Sequence, residues 1–244
     1  MTETSEAHSS RPRTGRALLA AVLVAVVITV GFARPAAAAI LWDGNASKGF
    51  GVFAAVLCDG GSATVTDWND GHGAIFSLNK PVGSDRCEVH SINDESRLGD
   101  NRTLWFGWDL NTKTGNAQTV FQWKSNGTND QHQQNYPVIM KVEDGRLRVW
   151  YVAPGETWIG IGSAAWTPGT WNAIQLGITT SSGSAGSIEV YLNGTRIAAR
   201  SGVRTWDDLG NKPRWGTYGA TIANTESHVW VDDPRLGTDR GSVS

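Results

Sequence analysis

Two segments, TWNAIQLGI (170–178) and GSIEVYLNGTRI (186–197), decide the fold. The first is a strand opened by a tryptophan; the second is a strand that runs into a Y-x-N-G turn and back out again. Asn-Gly supplies two residues that tolerate positive φ, which a tight hairpin needs. The same pattern repeats outward in both directions. Short runs rich in Val, Ile, Phe, Trp and Thr alternate with Gly, Asn, Asp, Ser and Pro, the composition of strands and turns. These runs predict strands at 50–56, 62–66, 73–78, 84–91, 103–110, 118–125, 136–143, 146–152, 171–178, 187–192, 213–219 and 227–235. EDGR (143–146) is a hairpin signal like LNGT (192–195). No amphipathic helix of ordinary length, internal repeat or low-complexity linker interrupts the series, so 40–244 reads as one domain. About a dozen short strands in a chain of this size form either two large sheets packed face to face or a closed barrel.

The first 39 residues do not belong to that pattern. SSRPRTGR (9–16) is basic, 17–33 is an uncharged apolar run, and ARPAAAA (33–39) offers small residues of the A-x-A type. This is the layout of a secretory signal peptide cleaved after Ala39, with a retained N-terminal membrane anchor as the alternative. Without the leader the chain has 17 Lys+Arg against 21 Asp+Glu, a net charge of −4. A mildly acidic protein has no bulk attraction for nucleic acid, so any anionic partner must be held by locally concentrated positive charge. The expected product is an exported monomer, free of the membrane once cleaved. Its two cysteines, Cys58 and Cys87, permit one disulfide in an exported chain; two buried thiols are the alternative. They lack C-x-x-C spacing and give no zinc signal.

The tryptophan-opened strand, the Y-x-N-G hairpin and the closing HVWVDDPRLG (228–237) resemble the concanavalin-like jelly roll, an all-β sandwich. That resemblance implies a concave groove in which sugars lie. Twelve tryptophans fit a carbohydrate partner through ring stacking, although Trp123, Trp150 and Trp171 occupy strand positions suited to packing. Glycoside hydrolysis needs two carboxylates with separated pKa values. No strand carries E-x-D-x-E, and the adjacent acids of WVDDP (230–234) point to opposite faces. Hydrolase chemistry is therefore disfavoured. No G-x-S-x-G, H-E-x-x-H or phosphate loop is present.

Three strands concentrate the remaining chemistry. SDRCEVH (84–90) places Arg86, Glu88 and His90 on one face and Cys87 and Val89 on the other. QTVFQWKS (118–125) sets Gln122 and Lys124 against Phe121 and Trp123. PRWGTYG (213–219) sets Arg214, Gly216 and Tyr218 against Trp215, and Gly216 would open space for a ligand. Arg, Gln, Lys, His and Tyr are donors to an anion together with proton-transfer groups. That set suits β-elimination from a uronic acid polymer. Donors neutralise the carboxylate beside C5 and stabilise the enolate-like intermediate. A neutral His or an ionised Tyr then takes the C5 proton, and Tyr protonates the leaving glycosidic oxygen.

RCEVH, FQWKS followed by QNYPVIMKVEDGRL (134–147), and KPRWGTYGA (212–220) resemble the heparin lyase I-like polysaccharide lyases of bacteria. The layout is more distantly similar to alginate and glucuronan lyases. An R-x-E, a Q-x-H and a K-x-G-x-Y strand build the site in those families, and the likeness runs from ILWDG (40–44) to DDPRLG (232–237). The resemblance implies that Arg86 and Gln122 neutralise the uronate carboxylate and that Tyr218 is the general acid and possible base. Two positions depart from it: Lys124 stands where Q-x-H has histidine, and Arg214 replaces the lysine, keeping the charge but unable to act as a base. His90 is the first candidate for the displaced histidine, and His132, in NDQHQQNYP (129–137), the second. Glu88 would orient Arg86. Lys124, Arg214, Asn135 and His132 would contact substrate, and Lys141, Arg146 and Arg148 would extend a basic lane or face water. A non-catalytic lectin-like module on the same fold is the competing reading. No cofactor is implied; a structural calcium is compatible with the fold, but no ligand run identifies it.

Overall fold

The computed structural model describes residues 1–2, 38–128, 130–219 and 224–244. The basic segment and apolar run of the expected leader lie outside them. The chain divides into Met1–Ala36 and Ala37–Ser244, and the described fold belongs to the second unit. Its strands are β1 (Ile40–Asp43), β2 (Ala55–Cys58), β3 (Ser62–Asp67), β4 (Ala74–Lys80), β5 (Arg86–His90), β6 (Thr103–Thr112), β7 (Gln118–Ser125) and β8 (Val138–Glu143). They continue as β9 (Arg146–Ala153), β10 (Thr157–Ala165), β11 (Asn172–Thr179), β12 (Gly186–Leu192), β13 (Thr195–Val203), β14 (Asn211–Tyr218) and β15 (Ser227–Gly237).

Every pairing is antiparallel, and the order along the sheet is β2-β5-β14-β7-β8-β9-β10-β13-β12-β11-β6-β15-β4-β3, with β1 added to the end of β15. The first seven strands form a front layer and the last seven a back layer. Aromatic side chains join them: Trp108 of β6 stacks on Phe121 of β7 at 4.9 Å, and Trp215 of β14 meets Phe106 and Trp108 at 6.1 and 6.2 Å. Among the described residues, the sheet passes from one layer to the other through Gly162 of β10 and Ala198 of β13, a single residue pair. A side chain at Gly162 would meet the Ile197 carbonyl oxygen at 2.1 Å, so glycine is required where the sheet folds over. The result is the expected all-β jelly-roll sandwich.

Local chemistry explains the regular parts. Asp144 and Gly145, and Asn193 and Gly194, all adopt positive φ, so both sequence-signalled turns close hairpins, β8–β9 and β12–β13. Cys58 and Cys87 are directly paired in register across β2 and β5 and form a disulfide. Trp123 and Trp215 are fully buried, whereas Trp150 and Trp171 are only half-buried and leave the core.

The 50–56 strand expectation is corrected. Phe50–Val52 is a 3-10 turn and the strand begins only at Ala55. Phe50 and Phe53 pack on Phe76 at 5.0 and 4.9 Å, so the apolar run fills the core rather than pairing with a neighbour.

Candidate active site

β5, β14 and β7 are neighbours in the front layer, and their register arranges the polar face in rows. His90, Arg214 and Gln122 form one row. Glu88 and Gly216 form the next. Arg86, Tyr218, Thr119 and, on β8, Lys141 form the third. Cys87, Val89, Phe121, Trp123 and Trp215 lie in the core on the opposite side, which fixes the direction of every polar residue between them.

Thr119 is a departure from simple alternation. Strict period two would send it to the core with Phe121 and Trp123. β7 carries an extra residue relative to β8 between Thr119 and Phe121, and β14 carries one relative to β7 between Trp215 and Tyr218. Val120 and Phe121 consequently both enter the core. Such bulges re-aim side chains beside functional sites. Here the shift turns Gln118 inward to a buried contact with Ser227 and brings Thr119 level with Tyr218.

Glu88 is the hub of a buried network. It is 2 % exposed, and the Gln122 amide, also 2 % exposed, donates to its Oε1 at 2.6 Å. His90 Nε2 lies 3.4 Å from Glu88 Oε2 and an Arg86 nitrogen 3.9 Å from it. Arg86 is closer to Asp59, at 3.3 Å, and its guanidinium stands over the Tyr218 ring at 4.8 Å. Glu88 therefore orients Gln122 more tightly than it orients Arg86, the partner expected from the sequence. The Glu88–Gln122 bond spans β14 at Gly216. A Cβ there would meet the Cys87 carbonyl oxygen at 2.3 Å, and φ is +138°. The close approach of the β5 backbone is by itself enough to require glycine here.

Burial sets the electrostatics. His90, 6 % exposed, is held below the ordinary imidazole range chiefly by desolvation, which outweighs the opposing influence of the neighbouring Glu88 carboxylate. Lys124 is pushed down to about 8 by burial first and by the neighbouring Arg214 charge second. Arg214 is lowered mainly by burial, and its Nε has no hydrogen-bond partner.

A cavity of about 550 Å³ opens beside this network. Tyr218 lines it together with His132, Asn135, Tyr136, Lys141 and Glu156. The Asn135 amide donates to Glu156 Oε1 at 3.1 Å, and His132 Nε2 is buried without a partner. Burial, then Glu156 and Tyr218, push Tyr136 up to about 12, so its phenol stays protonated. Lys141 lies 4.6 Å above the Trp158 ring.

The structure thus brings Tyr218, His132 and Asn135 to one cavity and gathers Arg86, Glu88, His90, Gln122 and Arg214 in the adjoining network. His90 does not line the cavity. Lys124 lies one step past Gln122, opposite Lys212. Arg146 and Arg148 engage Ser163 and the acids Glu143 and Asp144 rather than forming a free lane. Tyr136, Glu156, Trp158 and Thr119 escape the sequence reading. The first two sit in connecting segments; Tyr136 opens the strand expected at 136–143, which begins only at Val138, and QNYP (134–137) is the available signal for it. Among the described residues, the cluster of metal-ligand type, His72, Asp109 and Asp232, lies on the back layer.

The same fold occurs in an endo-β-1,4-glucuronan lyase from the fungus Trichoderma reesei, with a TM-score of 0.63 at 15% identity over 78% of this chain and 93% of that one. It also occurs in alginate lyase A1-II′ of polysaccharide lyase family 7, with a TM-score of 0.56 at 15% identity over 72% and 83%. A carbohydrate esterase from the Shiga toxin-encoding bacteriophage phi24B reaches 0.57 at 12% identity over 83% and 100%, so the architecture alone does not fix the reaction. No curated protein sequence matches. A family model described as polysaccharide lyase matches residues 42–235, the strands of both layers and every residue of the site just described. The chain belongs to the polysaccharide lyase family.

Proposed function

We propose that the protein is an exported lyase that cleaves a uronic-acid-containing polysaccharide by β-elimination, of the heparin lyase I-like kind. The observation that carries this reading is the placement of Tyr218 and His132 on one cavity beside the Arg86–Glu88–Gln122–Arg214 network. The glucuronan and alginate lyases of the same fold support a uronate as the sugar. Arg86, Gln122 and Arg214 neutralise the substrate carboxylate, and charge that develops on it in the transition state is stabilised without solvent reorganisation. A base takes the C5 proton, and the electron pair forms the C4–C5 double bond. The C4–O bond breaks and Tyr218 delivers a proton to the departing oxygen. Nε2 of both His132 and His90 is buried without a hydrogen-bond partner, but only His132 lines the cavity with Tyr218, and that position favours it as the base.

Incubating the protein without its leader with heparin, heparan sulfate, hyaluronan, glucuronan and alginate tests the proposal. The expected result is a rise in ultraviolet absorbance from the unsaturated uronate on at least one polymer. Folded protein that releases reducing ends without that absorbance, or binds glycan without product, overturns it.

A pH dependence follows from Lys124. Its amine is charged below about 8 and neutral above, so its attraction for a uronate is present at neutral pH and lost as pH rises. The expected KM for polymer rises about threefold across that limb, the scale of one partly exposed charge contact. Lys124→Arg, which stays charged throughout, flattens the rise. The measurement is KM against pH for both proteins.

A further inference from the structure

On the back layer, away from the cavity, the loop after β3 folds across the outer face of β15 and β6. Asp109 and Asp232 are directly paired there in register. The core residues on either side of them, Trp108 and Leu110 on β6 and Val231 on β15, point inward, so both carboxylates point out. His72, at the end of the loop, brings Nδ1 to 2.8 Å from Asp232 Oδ2. One donor atom from each of the three residues lies within 4.8 Å of the others. Asp232 is only 4 % exposed, and its Oδ1 is buried with no partner. An unpaired oxygen of a buried carboxylate is costly unless a cation or donor satisfies it. The imidazole is also held in place: Trp171 stacks on it at 4.3 Å, and the Trp171 indole N–H donates to Asp70 of the same loop at 3.1 Å.

We propose that His72, Asp109 and Asp232 form a binding site for a divalent transition-metal cation of the zinc class. The donor set decides the class. One imidazole nitrogen and two carboxylates suit zinc and its neighbours, whereas calcium takes six to eight oxygens and magnesium prefers oxygen in an octahedron. Three protein ligands leave further positions for water. The cation would fasten the β3–β4 loop to β6 and β15, which makes it a stabilising element of the back layer and not a part of the cleavage reaction.

The test uses the full chain stripped with EDTA and dialysed. Isothermal titration with zinc chloride is expected to show one site, and calcium chloride none at the same concentration. Zinc at about 100 times its Kd is expected to raise Tm by roughly 5–10 °C. His72→Ala and the near-isosteric Asp109→Asn are expected to abolish both the heat and the Tm shift while retaining lyase activity without zinc. Wild-type protein that takes up no zinc overturns the proposal. So does zinc binding that survives both substitutions, or calcium binding more tightly than zinc.

Discussion

Tyr218→Phe is expected to lower kcat by about 10³-fold while leaving polymer affinity nearly unchanged, since a positioned acid or base contributes about 10²–10⁴-fold. The substitution removes one oxygen. It keeps the ring on which the Arg86 guanidinium rests at 4.8 Å, so the carboxylate-binding arginine stays placed. Single-turnover formation of the unsaturated product, measured beside equilibrium binding of the polymer, separates the two quantities. Tyr136 shares the cavity and is the internal comparison. Its pKa of about 12 makes it a weaker acid than an ordinary phenol and leaves almost none of it ionised to act as a base at neutral pH. Tyr136→Phe is therefore expected to keep most of the rate. An undiminished rate in Tyr218→Phe removes that residue from the chemistry.

Glu88→Gln is expected to be the most destabilising polar substitution in the site. Glu88 is 2 % exposed and stands among Arg86, His90, Gln122 and Arg214. An amide of the same shape removes the negative charge and leaves the half-buried Arg214 guanidinium without compensation, while Arg86 keeps Asp59. Breaking a buried pair in this way costs about 3–5 kcal/mol. In a domain of this size that corresponds to a fall in Tm of roughly 10 °C. Thermal unfolding of Glu88→Gln, Arg214→Gln and the double variant checks it. If the two charges compensate each other, the double variant is less destabilised than the sum of the singles. Strict additivity contradicts the network. Activity should fall further than stability accounts for, because the 2.6 Å bond that aims Gln122 then ends on a neutral amide oxygen in place of a carboxylate and is weaker.

The sequence exposes the faces of β5 and β14, and of β7 from Phe121 to Lys124, because each alternates there and each has a large apolar residue or the half-cystine as a marker of the inner side. The hairpins are legible because Asn-Gly and Asp-Gly admit positive φ at both turn positions. Less is legible where the physics is not periodic. β10, TWIGIGSAA, is glycine-rich and half-exposed, and β13 lies at the bend where the layers meet through one residue pair, so neither shows a clear apolar face. β1 is four residues long and exists only by adding to β15. The bulge at Val120 cannot be read from period two, because it is a breach of period two. Tyr136 and Glu156 reach the cavity through the three-dimensional path of their connecting segments. The role of Gly216 required the position of the β5 backbone, which no single strand reveals.

The disulfide has a reach beyond the core side on which Cys87 sits. β2 is an edge strand, with Ala55, Val56 and Leu57 exposed. Directly after Cys58 comes Asp59, whose amide donates to the Arg86 carbonyl at 3.1 Å and whose carboxylate holds the Arg86 side chain at 3.3 Å. Cys58–Asp59 and Arg86–Cys87 thus form a small clasp closed by a covalent link, a backbone hydrogen bond and an ion pair. An edge strand held only by hydrogen bonds frays, and Asp59 would leave with it. Thiol oxidation on the inner side of the sheet therefore keeps a guanidinium in place on the outer side, and the folding history of two sulfur atoms is written into the aim of Arg86.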